Sequence, residues 1–400
     1  MILALIAALL LGVLSGTITG LFPGIHINLV SAGLLAYIGY FSFVAPLVLA
    51  VFVAAMAITH TFIDFIPSVF LGAPEEDSFL SVLPGHQLLL EGRGHEAVVL
   101  TLYGSLIALP LILIFGFVFV LSLDFVFGFV REFIAFILIF VSLYLIFRED
   151  DSINAFIVFA LAGFLGLFSF NLPVKEPLLP LLSGLFGVSG LIVSLRDKVV
   201  IPNQKIQKIR EVKIGKGNFW KSFFGAGIAA PLCSFLPGIG SGHAAVIGSE
   251  ISGDDKRGFL FLVGAINTII MGLSFASAYA IGKTRTGASA AVKEILGEIS
   301  LWNLIIIFGV IIISGIISFF AGIYISGFFA KNISRLDYSR LSLGIIIVLF
   351  TVNFILSNWI GMIVLITSSA LGVFSILSKT RRINLMGCLL LPSIVFYSTL

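Results

Sequence analysis

Apolar runs, each near the roughly 17–25 residues needed to cross a bilayer, alternate with short polar stretches from one end of the chain to the other. In the first half this patterning predicts helices at about 2–21, 26–42, 44–71, 98–122, 131–148, 153–171 and 177–195. The second half predicts them at about 219–236, 241–249, 258–281, 301–330, 342–357, 359–377 and 386–400. The short alternating segments of a closed β-barrel are missing from the sequence. The expected fold is an all-α polytopic membrane protein.

Two of these runs are interrupted by near copies of one motif, Leu21-Phe-Pro-Gly-Ile-His26 and Phe235-Leu-Pro-Gly-Ile-Gly240. Proline removes a backbone donor and glycine frees the chain to bend. In hydrocarbon such a break survives only where protein or a water-filled cavity covers it. The piece after each break is short or oddly joined, which predicts Pro-Gly-broken or re-entrant helices. Matched breaks in two halves point to the midplane binding site of a repeat-built transporter.

Other landmarks recur in the same order. Pro23 and Pro237 stand 214 residues apart, Ala57-Ile-Thr-His-Thr61 resembles Ala265-Ile-Asn-Thr268, and Leu165-Gly-Leu-Phe-Ser169 matches Leu371-Gly-Val-Phe-Ser375 at an offset of 206. An internal duplication follows, with residues 1–195 as the first membrane repeat, 196–218 as a linker and 219–400 as the second repeat.

Charge sets the expected topology. Eight basic residues lie between Arg196 and Lys221, against Asp197 and Glu211, and the positive-inside rule assigns that linker to the cytoplasm. Lys379-Thr-Arg-Arg382 is expected on the same side, while its counterpart, Asn171–Glu176, is one helix away from the linker and therefore external. The repeats are then of inverted topology, with the amino terminus outside a multi-pass protein of the cell membrane. A membrane-flanking basic loop also accounts for the linker without any nucleic acid.

Composition agrees: 59% of residues are hydrophobic and 11% are charged, against about 25% charged in a soluble domain. Met1–Gly20 lacks the basic start of a signal peptide and has a counterpart before Phe235, so it reads as a structural helix. Cys233 and Cys388 sit in apolar segments with no metal spacing, as small core residues.

The candidate chemistry gathers at the breaks. The start of a helix after a break carries unpaired amides and a partial positive charge, a ready anion site. Its candidates are Pro23, Gly24, Ile25, His26 and Asn28, then Pro237, Gly238, Gly240, Ser241 and His243, with Ser241 as the expected N-cap. His60, Thr61, Asn267 and Thr268 are polar groups inside apolar sequence, where each needs a partner, and they are expected to meet the breaks at the repeat interface. His60 and Asp64, one helical turn apart, suit a proton relay, or a packed interhelical pair without turnover. Lys283 and Arg285 can bind carboxylate or phosphate. Glu75, Glu76 and Asp77 can bind a coupling cation or partner that basic pair, although a solvated loop accounts for any one of these charges. His95-Glu96 lacks the second histidine of a zinc H-E-x-x-H pattern, Ser289 has no placed base, and no Walker A sequence occurs. The expectation is no enzyme, no catalytic residue, no metal and no ATP drive.

Through Leu21–His26, Gly72–Val98 and Phe235–His243 the chain resembles the membrane permeases of the tripartite tricarboxylate transporter family, in particular the compact archaeal branch. His26 stands where that family has glycine, and Pro84-Gly85-His86 differs from its Asp-Gly turn. The resemblance implies secondary transport of an organic anion, most often a di- or tricarboxylate, with the substrate held at the two Pro-Gly loops. It also implies drive by an H+ or Na+ gradient in place of a cofactor, and a small membrane subunit and an extracytoplasmic binding protein as partners. A competing reading is translocation of a polyprenyl-phosphate lipid carrier, since another family with duplicated Pro-Gly re-entrant loops does this. The partners expected are the lipid bilayer and a small anionic substrate or a lipid phosphate; a homo-oligomer is compatible with the pattern.

Overall fold

A computed structural model of the chain describes all residues except 23–26, 37–42, 73–81, 176, 197–200, 237–239, 254, 336 and 400, and leaves out the side chains of 28, 29, 32, 33, 36, 82, 83, 131 and 338. The first half contains α1 (Ile2–Leu21), α2 (Ile27–Ala36), α3 (Pro46–Ile63), α4 (Phe65–Leu71), α5 (Val82–Leu90), α6 (Gly94–Val130), α7 (Ile134–Phe147) and α8 (Ser152–Asn171). It closes with α9 (Leu178–Leu182) and α10 (Ser189–Arg196), joined by a π-helical turn, Ser183–Val188. The second half contains α11 (Lys216–Ser234), α12 (Ser241–Ser252), α13 (Lys256–Ala280), α14 (Gly287–Leu296), α15 (Leu301–Asn332), α16 (Tyr338–Leu377) and α17 (Gly387–Ser398). No strand occurs among the described residues. Among the described residues, eight helical segments are long and apolar enough to cross a membrane.

Helix starts are set by polar caps at the ends of the apolar runs. Asp151, Asp255, Thr286, Ser300 and Asp337 each accept a backbone N–H of the first turn, which satisfies one of the donors a helix start leaves open. α3 begins with Pro46 in its first turn, where the missing N–H costs nothing. α16 is broken at Asn358, whose backbone lies at φ 64° and ψ −174°. The Asn358 Oδ1 accepts from Ile360 N at 2.9 Å and Gly361 N at 3.2 Å, so this side chain caps the second arm. Leu349 and Leu365, on opposite sides of the break, pack in one cluster with Val188 and Leu191, so α16 doubles back.

Glycines define how the helices lie together. In hydrocarbon, close backbone approach through small residues replaces the hydrophobic drive. Gly12, Gly16 and Gly20 of α1 abut Ala55, Thr59 and Ile63 of α3 in rising order, so the two helices run parallel. Gly225 of α11 meets Gly248 of α12, folding α12 back along α11, while Ser222 and Gly225 meet Gly258 and Leu262 of the parallel α13. Each half therefore opens with a long helix, a short one and a second long helix parallel to the first.

The halves interlock through α3, α6, α13 and α15. Gly104 and Gly272 place α6 parallel to α13, through Ala265 and Ile112 respectively. α6 and α15 run antiparallel: Leu102 meets Gly322, Leu109 meets Gly315, and Gly116 meets Phe308. Shifted by the 206-residue offset, the first and third of these pairs exchange and the middle pair returns to itself. α13 is almost entirely buried and α3 nearly so, whereas α1, α8 and α15 turn Leu14, Phe164 and Phe320 outward. The bundle centre is thus formed by one helix from each half, with an apolar rim facing lipid.

Candidate functional site

Where α3 crosses α13, the two halves share a buried polar seam. Thr61 Oγ1 and Thr268 Oγ1 are 3.1 Å apart, and Asn267 Nδ2 donates to Asp64 Oδ2 at 3.0 Å. Ser318 of α15 donates to Thr59 Oγ1 at 2.8 Å. His60 Nδ1 lies 3.0 Å from Thr19 Oγ1, four residues before Pro23. All of these side chains are below one-tenth exposed. Interhelical pairs of this kind contribute about 0.6–1.7 kcal/mol each, so the seam holds α3, α13, α15 and the end of α1 in one register. Asp64 sits at the joint between α3 and α4, and its side chain reaches Asn267 of the second half.

The second break is described at both edges. α11 ends at Ser234, and α12 starts at Ser241 with Gly240 as its N-cap. Ser241 was expected as the cap, but it lies inside the first turn. The capping acceptor is the imidazole of His243, whose Nδ1 receives the Gly240 N–H at 3.1 Å. A ring nitrogen that accepts a backbone N–H carries no proton, so His243 is neutral and bears its hydrogen on Nε2. That donor is buried with no partner among the described residues.

Arg285 closes the same corner. Past α13 the chain turns back, and Thr286, the cap of α14, comes within 3.0 Å of Ser274 on α13. This return carries Arg285 to the break, where Nη1 donates to Leu236 O at 2.8 Å. Its Nη2 stands 3.9 Å from the position a Cβ on Gly240 would take. The first-turn amides of α12, the His243 Nε2–H and the Arg285 guanidinium thus collect around one helix start. Such a constellation attracts negative charge.

Of the other candidates, Lys283 stays exposed on the α13–α14 return. Pro23, Gly24, Ile25, His26, Pro237, Gly238, Glu75, Glu76 and Asp77 lie outside the described residues, as does the side chain of Asn28 within α2. Several groups escaped the sequence reading. Thr19 and Ser318 complete the seam with Thr59, and their signal was no more than a small polar residue in an apolar run. Arg382 donates through Nη2 to Leu185 O, Phe186 O and Ser189 Oγ, reaching carbonyls of the π-helical turn. Glu96, 1% exposed, pairs with Arg93 and with Arg257 across the halves, both at 2.6 Å. Its hydrogen bond raises the pKa of the Arg93 guanidinium.

The sequence model of the Tripartite tricarboxylate transporter TctA family matches residues 6–387. The chain belongs to this family. Members are transporter permeases and not enzymes, and the helical bundle is that of a multi-pass membrane protein. The chain is also similar to Uncharacterized protein MJ1079 of the archaeon Methanocaldococcus jannaschii, at 30% identity over 397 residues, covering 94% of this chain and 95% of the relative. That agrees with an archaeal branch of the family. No solved structure matches the chain.

Proposed function

We propose that this protein is a secondary active transporter of a small organic anion, most favourably a di- or tricarboxylate. It works by alternating access around a site between the two Pro-Gly breaks. The observation that carries this reading is the second break, where the α12 amides, the buried His243 Nε2–H and Arg285 converge. A carboxylate fits these donors, because each supplies a hydrogen and two of them carry positive charge or partial charge. Gly24 and Gly238 would let a second carboxylate approach the backbone from either break.

The two halves act as inverted repeats in this proposal. The antiparallel α6 and α15, whose contacts exchange under the 206-residue offset, support that relation. Their equivalent breaks then approach the seam from opposite sides, as alternating access requires. Drive comes from an H+ or Na+ gradient, with Asp64 and His60 at the seam as the groups that take up the coupling ion, and Glu75, Glu76 and Asp77 as further candidates. The amino terminus is outside and the basic linker cytoplasmic, in the cell membrane. The family's tripartite name suggests a small membrane subunit and an extracytoplasmic binding protein as partners.

The test is calorimetric titration of the purified protein with succinate, citrate and a short polyprenyl phosphate. Saturable binding of a carboxylate is expected. Binding of the polyprenyl phosphate with no carboxylate bound would overturn the reading in favour of a lipid-carrier translocase.

A further inference from the structure

Away from the breaks, an open cleft of about 610 Å³ lies between the linker and the end of α15. Three cations line it, Lys208 and Arg210 from the linker and Lys331 from α15, together with apolar walls from Ile206, Tyr324 and Phe328. No carboxylate lines it among the described residues. The nearest acid in sequence, Glu211, turns back to accept the Lys208 N–H at 3.2 Å.

The cleft is built by fixed contacts. Tyr103 of α6 donates through its hydroxyl to Ile209 O at 2.7 Å, and Lys205 N donates to Gly92 O at 2.7 Å. Gln204 accepts the Gly94 N–H at 2.8 Å, so the linker is strapped across the start of α6. His95, at the floor, is held by Ser326 at 3.0 Å.

Its depth follows from α15. Trp302 and Tyr324 are both strongly exposed, at 74% and 80%. They are separated along the helix by about 33 Å, close to the roughly 30 Å of a hydrocarbon core. Aromatic residues of this kind mark the two interfaces. The cleft begins at Tyr324 and opens outward past it, at headgroup depth. Ile316 and Phe320 below it, then Tyr324 and Phe328 in its wall, recur every fourth residue as one exposed apolar stripe.

We infer that this cleft binds one anionic phospholipid of the surrounding bilayer, its phosphate among Lys208, Arg210 and Lys331 and its acyl chains along the outer stripe of α15. Basic pockets beside membrane helices recognise anionic headgroups in this way. A soluble anion would use the cations but gain nothing from the stripe. The bound lipid ties the linker, which joins the halves, to a helix of the second half.

Native mass spectrometry of the detergent-purified protein tests this, with phosphatidylglycerol, phosphatidylcholine and inorganic phosphate as probes. One phosphatidylglycerol is expected to bind in preference to phosphatidylcholine and to resist competition by phosphate. Lys208→Gln, Arg210→Gln and Lys331→Gln should each weaken it about fivefold, and the triple variant about 100-fold. Lys205→Gln and Lys216→Gln, linker cations outside the cleft, should change it less than twofold. Equal binding of phosphatidylcholine, displacement by phosphate, or single variants no weaker than these two controls would overturn the assignment.

Discussion

Replacing Gly264 by alanine probes the contact between halves at a point of close backbone approach. A Cβ there would overlap the Thr101 carbonyl oxygen and stand 2.8 Å from Thr101 Cα. Carbon atoms pack best at about 3.5–4.0 Å, so α6 and α13 must part by roughly 1 Å. Ser105 Oγ donates to Gly264 O across the same contact at 3.1 Å, and parting stretches that bond beyond hydrogen-bonding range. Overpacking costs about 1–3 kcal/mol, and the lost interhelical bond about 0.6 kcal/mol. The better helix propensity of alanine offsets about 0.8 kcal/mol. A net loss of about 1–2.5 kcal/mol is expected. Gly309 on α15 is the control: nothing lies within 4 Å of its would-be Cβ, and alanine there should be neutral or stabilising by up to about 1 kcal/mol. Unfolding by sodium dodecyl sulfate in mixed micelles, followed by the fluorescence of Trp220, Trp302 and Trp359, measures both. Equal stability of the two variants, within about 0.5 kcal/mol, would refute the packing described for α6 and α13.

Three other perturbations have defined outcomes. Asp64→Ala leaves the buried Asn267 amide without its acceptor; it should lower stability by about 1–3 kcal/mol and abolish gradient-dependent uptake, whereas unchanged uptake would remove Asp64 from coupling. Asn358→Ala loses a helix cap and keeps a strained positive φ, so it should cost about 1–3 kcal/mol in the same unfolding assay. Asn358→Gly, which relieves the strain, should be milder, and the reverse order would refute the role given to that backbone. Cysteines at Lys205 and Glu298, near opposite ends of α15, should react with an impermeant maleimide from opposite faces of the membrane, Lys205 from the cytoplasmic one; labelling of both from one side would break the topology.

Much of the fold was legible because membrane helices are long and their ends are few. α1, α15 and the two arms of α16 fall within three residues of their expected bounds or closer on all but one end, since a lone Asn358 between apolar runs marks a break. The first arm of α16 instead begins at Tyr338, before the expected 342. α6 runs from Gly94 to Val130, beyond the expected 98–122, because Asp124 marks the edge of the apolar core and not the end of the helix. α5 and α14 fall where no helix was expected. Each is short, and α14 is supported by packing on α3, which no local pattern reveals. In the candidate site, Asp64 and Asn267 were legible as polar groups in apolar runs. The Arg285 bond to Leu236 depends on the chain return after α13, and the pairing of Thr59 with Ser318 on the register of distant helices. Neither has a local signature.

Uptake into proteoliposomes is the direct test of an anion site at the helix breaks. Vesicles holding the wild-type protein should accumulate labelled citrate or succinate when an inward H+ or Na+ gradient is imposed. With Arg285→Gln, which removes the charge beside Leu236 and Gly240, carboxylate binding should weaken about 10–100-fold and accumulation should fall accordingly. No carboxylate uptake under either gradient, or wild-type uptake by the Arg285→Gln protein, would contradict the account.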